Sequence, residues 1–99
     1  MKPNKIHEQN AAFFQALSHR RRQMLFEILK QHGADGLPFH RLQNKSGLSS
    51  AILSHHLRFM TQGGILQRTQ KGRETWISLD IAHLGDTAAW LGKHMTIAA

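Results

Sequence analysis

The segment Ser46-Gly47-Leu48-Ser49-Ser50 constrains the chain more than any other. Gly47 suits the left-handed conformation that ends one helix, and Ser49 or Ser50 can cap the next. Before it, Pro38 suits the first turn of a short helix over about 38–45, which would bury Phe39 and Leu42. After it, AILSHHLRFMTQ places Ile52, Leu53, Leu57 and Met60 at helical spacing. A short helix, a tight glycine turn and a second helix with polar residues at its start form a helix-turn-helix pattern.

The flanking segments have their own periodicities. Residues about 8–17 place Ala12, Phe13, Ala16 and Leu17 on one helical face. Ser18 can cap a second helix over about 19–32, whose apolar stripe is Met24, Leu25, Ile28 and Leu29. Arg20, Arg21 and Arg22 stand at its start, where cations oppose the macrodipole; either an anion sits nearby or the face is simply solvated. Gly63-Gly64 stops the helix after the turn. ILQRTQ then alternates as a strand with Ile65 and Leu66 inward, and Lys71-Gly72-Arg73 is a turn. ETWISLD reads as a second strand, with Thr75, Ile77 and Leu79 on one face and Trp76 on the other. A last helix over about 82–96 aligns Leu84, Ala88, Leu91 and Met95, and Trp90 lies off that stripe. A terminal helix apolar on two sides needs two neighbours: its own core and a second subunit.

Composition fits this picture. Ninety-nine residues, 40% of them hydrophobic, make one small domain with a thin core, and such domains often gain stability by pairing. There are 13 basic and 6 acidic residues, a formal charge of +7, which favours a polyanion as partner. Residues 1–30 and residues 31–79 each carry a net +4, whereas residues 80–99 carry −1, so the last segment serves something other than anion binding. No apolar run approaches the roughly 20 residues that span a bilayer, and the polar N-terminus lacks a signal-peptide core, so a cytoplasmic protein is expected. The absence of cysteine excludes disulfides, thiolate metal sites and thiol redox sensing. No nucleophile–base constellation is visible, because acids are few and the serines fall at caps and on the helix after the turn. An enzyme is therefore not expected.

The order helix, helix, helix-turn-helix, hairpin, helix resembles the ArsR/SmtB-type winged-helix transcriptional repressors, over about residues 12–95. Ala16-Leu17-Ser18-His19 followed by Arg22 is similar to the family's entry into the second helix, with Arg20 where a proline is usual. Leu42, Gly47-Leu48-Ser49, Ser54 and His56-Leu57 match the helix-turn-helix signature. Gly63-Gly64-Ile65-Leu66 resembles the step into the wing, and Gly72-Arg73, Leu79 and the aromatic Trp76 match the wing itself. The resemblance implies a mainly α fold with a small β-hairpin, about five helices and a two-stranded wing. It further implies a homodimer built from the first and last helices, here Phe13, Phe14, Leu84, Ala88, Trp90, Leu91 and Met95. It implies repression by operator occupancy, relieved by an effector. The whole chain, 1–99, is then a single DNA-binding domain.

In such a domain the recognition helix enters the major groove of double-stranded DNA. Ser49, Ser50, Ser54, His55 and Arg58 are its polar candidates, and Arg68, Lys71 and Arg73 are the wing's. Ser49 and Ser50 either cap or bind. Arg58 either clamps a phosphate or reads guanine. His56, beside Leu57, is expected to be the more buried of the two adjacent histidines. Two recognition helices related by a two-fold axis imply a roughly palindromic operator. Two alternatives are a nonspecific architectural DNA binder and a winged-helix protein-interaction module.

Effector chemistry is less legible. The positions matching the family's cysteine site near the third helix are about Pro38 and His40. In the family's other metal site, His83 and His94 keep the spacing, but the two carboxylate positions fall at Ile81 and Ile97. Half that ligand set is gone, so no metal cofactor is expected. Protonating the eight histidines would raise the charge from +7 to +15 and tighten nonspecific DNA binding in acid.

Overall fold

The computed structural model describes residues 1–95. Helix α1 (Lys5–Ala16) begins three residues before the periodicity suggests, because Asn4 caps it. The Asn4 side chain accepts from the His7 N–H at 3.1 Å, and His7 Nδ1 accepts from the Asn4 N–H at 3.1 Å. This reciprocal cap satisfies two amides that the helix itself cannot. Helix α2 (Arg20–Lys30) is capped by His19, not by Ser18. His19 Nδ1 accepts from the Arg21 N–H at 3.1 Å, while the Ser18 hydroxyl turns back to donate to the Gln15 carbonyl at 2.7 Å.

Strand β1 (Leu37–Pro38) leads into α3 (Phe39–Ser46). Pro38 is therefore the residue before the helix rather than its first turn. Gly47 follows in the left-handed region at φ +70, as the turn requires. Ser49 is the cap of α4 (Ser50–Gln62): its Oγ accepts from the Ile52 N–H at 3.2 Å. Strands β2 (Leu66–Lys71) and β3 (Glu74–Leu79) form the hairpin, and α5 (Ile81–His94) closes the chain, capped by Asp80. The last-helix expectation reached residue 96, which lies outside the described residues, as does Ile97.

The sheet is antiparallel in the order β1-β3-β2, so the hairpin has a third strand that the sequence reading lacked. Two residues are too short to show alternation, and Pro38 cannot donate to a ladder. It fits only because β1 is an edge strand, with Leu37 opposite Ile77 and Pro38 opposite Trp76. Gly36 makes this pairing possible: a Cβ there would fall on the Ile77 carbonyl oxygen.

The core joins Phe13 and Ala16 of α1, Leu25 and Leu29 of α2, and Leu42 of α3 to Leu53, Leu57 and Met60 of α4. Leu37, Ile65, Leu66, Ile77 and Leu79 complete it. Two expected inward residues are outside. Ile52 is 40% exposed, because the buried stripe of α4 runs Leu53, His56, Leu57, Met60 and Ile52 lies one step off it. Ala12 is exposed at the α1–α4 crossing, where Gly63 approaches so closely that a Cβ would sit 2.8 Å from the Ala12 carbonyl oxygen. In α5 only Thr87 is buried; Leu91 is 41% exposed and Met95 67%.

Candidate nucleic-acid interface

Leu53, His56, Leu57 and Met60 fasten α4 to the core, so its other side faces solvent. Ser50, His55 and Arg58 are exposed there, and Ser54 is half-buried. Ser49 is also exposed, but its hydroxyl is engaged in capping. The core-side anchoring sets the pitch of this face, and the glycine turn before it sets where the face begins.

Strand β2 runs beside α4, and between them lies a groove lined by Ser54, Arg58, Thr61, Gln62 and Arg68. Helix and wing thus bring Ser54, Arg58 and Arg68 together. Thr61 is internally engaged, since its hydroxyl donates to the Leu57 carbonyl at 2.7 Å. The hairpin tip is braced from within: the Gln70 amide donates to the Gly72 carbonyl at 3.1 Å, and the Thr75 hydroxyl donates to Gln70 Oε1 at 3.0 Å. Arg73 is exposed at the tip.

Lys71 stands apart from the other wing cations. Its ammonium lies 4.1 Å from the centroid of Trp76 and 3.9 Å from the Asp35 carboxylate. That pair is solvent-exposed and weak, but it draws Lys71 toward the sheet's far side. It is also the only cation–carboxylate contact among the described residues. Arg58, Arg68 and Arg73 carry charges that no neighbouring acid neutralises, and so do Arg20 and Arg21 on α2 and Arg41 and Lys45 on α3. Cations without a paired acid raise the local potential and attract anions.

Behind α4 lies a cluster that sequence reasoning missed. The His19 ring meets the His56 ring with centroids 4.6 Å apart. His55 lies 5.6 Å from His56 and 5.0 Å from Phe59, and the Arg22 guanidinium sits 4.9 Å from the centroid of Phe59. His56 is 4% exposed and His55 exposed, as expected of the pair. Desolvation, then the charges of Arg22, Arg21, Arg20 and His55, hold the His19 imidazole below its ordinary value. Desolvation, then His19, Arg22, His55 and Arg21, do the same to His56. His56 Nδ1 and Arg22 Nε are buried with no hydrogen-bond partner. The available signal was the adjacency of His19 to the helix start, masked by Ser18 as the commoner cap.

On the opposite side, Phe13, Phe14, Leu84, Ala88 and Leu91 line one apolar groove between α1 and α5, with Leu17 and Phe26 at its inner wall. Trp90 is on the other flank of α5. It lines a more polar cleft with Ile6, Gln9, Asn10, His83, Asp86 and Thr87, and its ring lies 4.8 Å from that of His94. His83 packs 5.8 Å from Phe13 by ring centroids. His83 and His94 are separated by about 16 Å along α5, so one chain cannot bring them to a single ion. The Ile81 side chain offers no donor atom. Among the described residues, no three His, Asp or Glu side chains gather as a metal site would require. No described helix is long and apolar enough to cross a membrane.

No family model matches the chain, and no curated protein matches its sequence. Its structure does match those of ArsR-family transcriptional regulators. An ArsR-like transcriptional regulator from Rhodococcus sp. RHA1 superposes with a TM-score of 0.75 at 24% identity, covering 91% of this chain and 82% of that one. A homodimeric winged helix-turn-helix DNA-binding domain from Mycobacterium bovis, described as a possible ArsR-family regulator, gives 0.69 at 19% identity, over 94% and 91%. The transcriptional repressor BigR from Xylella fastidiosa gives 0.65 at 20% identity, over 94% and 93%. At such identities the likeness establishes the winged-helix fold: five helices and a small antiparallel sheet among the described residues.

Proposed function

We propose that this chain is a sequence-specific DNA-binding transcriptional regulator of the ArsR type, acting as a homodimeric repressor that an effector releases from its operator. The observation that carries the reading is the groove between α4 and β2, where Arg58 and Arg68 bring unneutralised charge into one groove with Ser54. A helix that follows a glycine turn, buries one side in the core and exposes the other, with a basic strand beside it, fits the geometry of a major-groove reader flanked by a backbone-clamping wing. Arg58 and Arg68 supply phosphate or guanine contacts, and Ser50, Ser54 and His55 supply short donors and acceptors for base edges. Arg73 reaches the flanking backbone or minor groove. Lys71, held by Asp35 and Trp76, contributes after giving up that weak pair.

The apolar groove between α1 and α5 supports a dimer. An exposed patch of Phe14, Leu91 and Met95 costs free energy in water, and a second copy of the same surface covers it. The two-fold axis then sets a roughly palindromic operator. No metal ion is part of this reading, and neither is catalysis. Selection of bound duplexes from a random pool tests it. One enriched, roughly palindromic sequence is expected, and recovery of unselected sequence would leave only general DNA binding.

A further inference from the structure

We propose that His19 and His56 are positioning residues for the DNA-reading helix: two neutral imidazoles, packed against each other at a tilt between the start of α2 and the middle of α4, hold α4 in its binding orientation, and their protonation releases it. This rests on the DNA-binding reading of α4.

The two histidines are tied to different elements. His19 caps α2 through Nδ1, which must keep its lone pair to accept the Arg21 N–H at 3.1 Å. Its ring meets that of His56 at 4.6 Å. His56 lies on the buried stripe of α4, within two residues of Ser54, His55 and Arg58 on the opposite side. A shift of His56 therefore moves the candidate DNA-contacting residues directly.

Everything charged that faces the pair is positive. Arg20, Arg21 and Arg22 come from α2, and His55 comes from α4. No carboxylate acts on either ring. A proton on His19 Nδ1 removes the acceptor for the Arg21 amide. A proton on His56 places a charge in a buried site where Nδ1 has no partner to stabilise it. Both imidazoles accordingly sit below the ordinary 6.5. The unfolded chain binds these protons more readily than the folded one. The contact's contribution is thus complete above pH 6.5 and lost as pH falls through the lowered folded values.

This predicts a sign that overall charge does not. Added positive charge by itself tightens binding to a polyanion. Release of α4 weakens sequence-specific binding instead.

The test uses the full chain, a duplex selected from a random pool at pH 7.5, and a random duplex of equal length. Affinity is measured at pH 7.5, 6.5 and 5.5 at constant ionic strength. The wild type should lose about tenfold or more for the selected duplex between pH 7.5 and 5.5. The double variant His19→Asn, His56→Phe should stay level or bind more tightly in acid. Asn preserves a capping oxygen, and Phe replaces a ring whose Nδ1 has no partner. Parallel pH profiles for the two proteins, or tightening of the wild type, would overturn the proposal. If the double variant does not fold, His19→Asn alone replaces it, and a profile flatter than wild type is required. If no duplex is enriched at pH 7.5, the DNA-binding reading fails and the pair is judged by thermal denaturation. A wild-type midpoint that drops relative to the variant from pH 7.5 to 5.5 keeps the contact, and parallel midpoints end it.

Discussion

Gly36 shows how a single side chain can decide the geometry of the wing. It stands at φ +73, and a Cβ there would fall on the Ile77 carbonyl. Gly36→Ala should cost about 2 kcal/mol or more, from backbone strain and loss of the β1–β3 pairing, as chemical denaturation would report. Arg58 and Arg68 act at the same scale but on affinity. Neither has an acidic neighbour to lose, so replacing either with Ala should leave the midpoint of unfolding nearly unchanged. Arg68→Ala should weaken binding to all duplexes about equally and lower the slope of log affinity against log salt by about 1. Arg58→Ala should do the same if it clamps a phosphate. Loss of preference at one base pair, about 1–3 kcal/mol, would mark it as a guanine reader.

At the scale of elements, the caps and the turn decide where helices begin. Ser49→Ala removes the α4 cap and should cost about 1 kcal/mol in denaturation, with a matching loss of DNA affinity. The turn at Gly47, the α4 stripe and the hairpin were legible in the sequence, because each depends on local spacing and local backbone preference. The winged-helix architecture followed from their order. What escaped depended on contacts distant in sequence. Strand β1 is recognised only through its pairing with Ile77 and Trp76. The His19 ring that caps α2 in place of Ser18 also touches His56 on another helix, a contact that local sequence does not reveal. Ile52 lies at the edge of the α4 stripe, one turn before His56, where the helical period alone made it look buried. Of the candidate DNA-contacting residues, chain order alone could not show that Ser54, Arg58 and Arg68 share a groove, or that Lys71 is drawn to Asp35.

The molecule as a whole is long for its size, 51 by 23 by 23 Å over the described residues, with a radius of gyration of 14.9 Å against about 13 Å for a compact chain of this length. Helix α5 has one buried residue, Thr87, and an apolar flank shared with α1. On the proposed dimeric reading, a second copy on that flank accounts for both. Leu91→Asp should therefore shift sedimentation from dimer to monomer while leaving the core, to which Leu91 does not belong, intact. Charge is divided in the same way. Ten of the 13 lysines and arginines lie on α2, α3, α4 and the wing, and α5 carries only Lys93. A dimer making about 6–10 phosphate contacts should lose about 10³–10⁵ in affinity between 50 and 200 mM salt. The most direct test of the central claim, that α4 and the wing read a DNA sequence, is equilibrium binding of a pool-selected duplex against excess random duplex at physiological salt. The account predicts a preference of at least about 10³ that falls when Ser54 and Arg58 are replaced together by Ala. Equal affinity for the selected and random duplexes would contradict it.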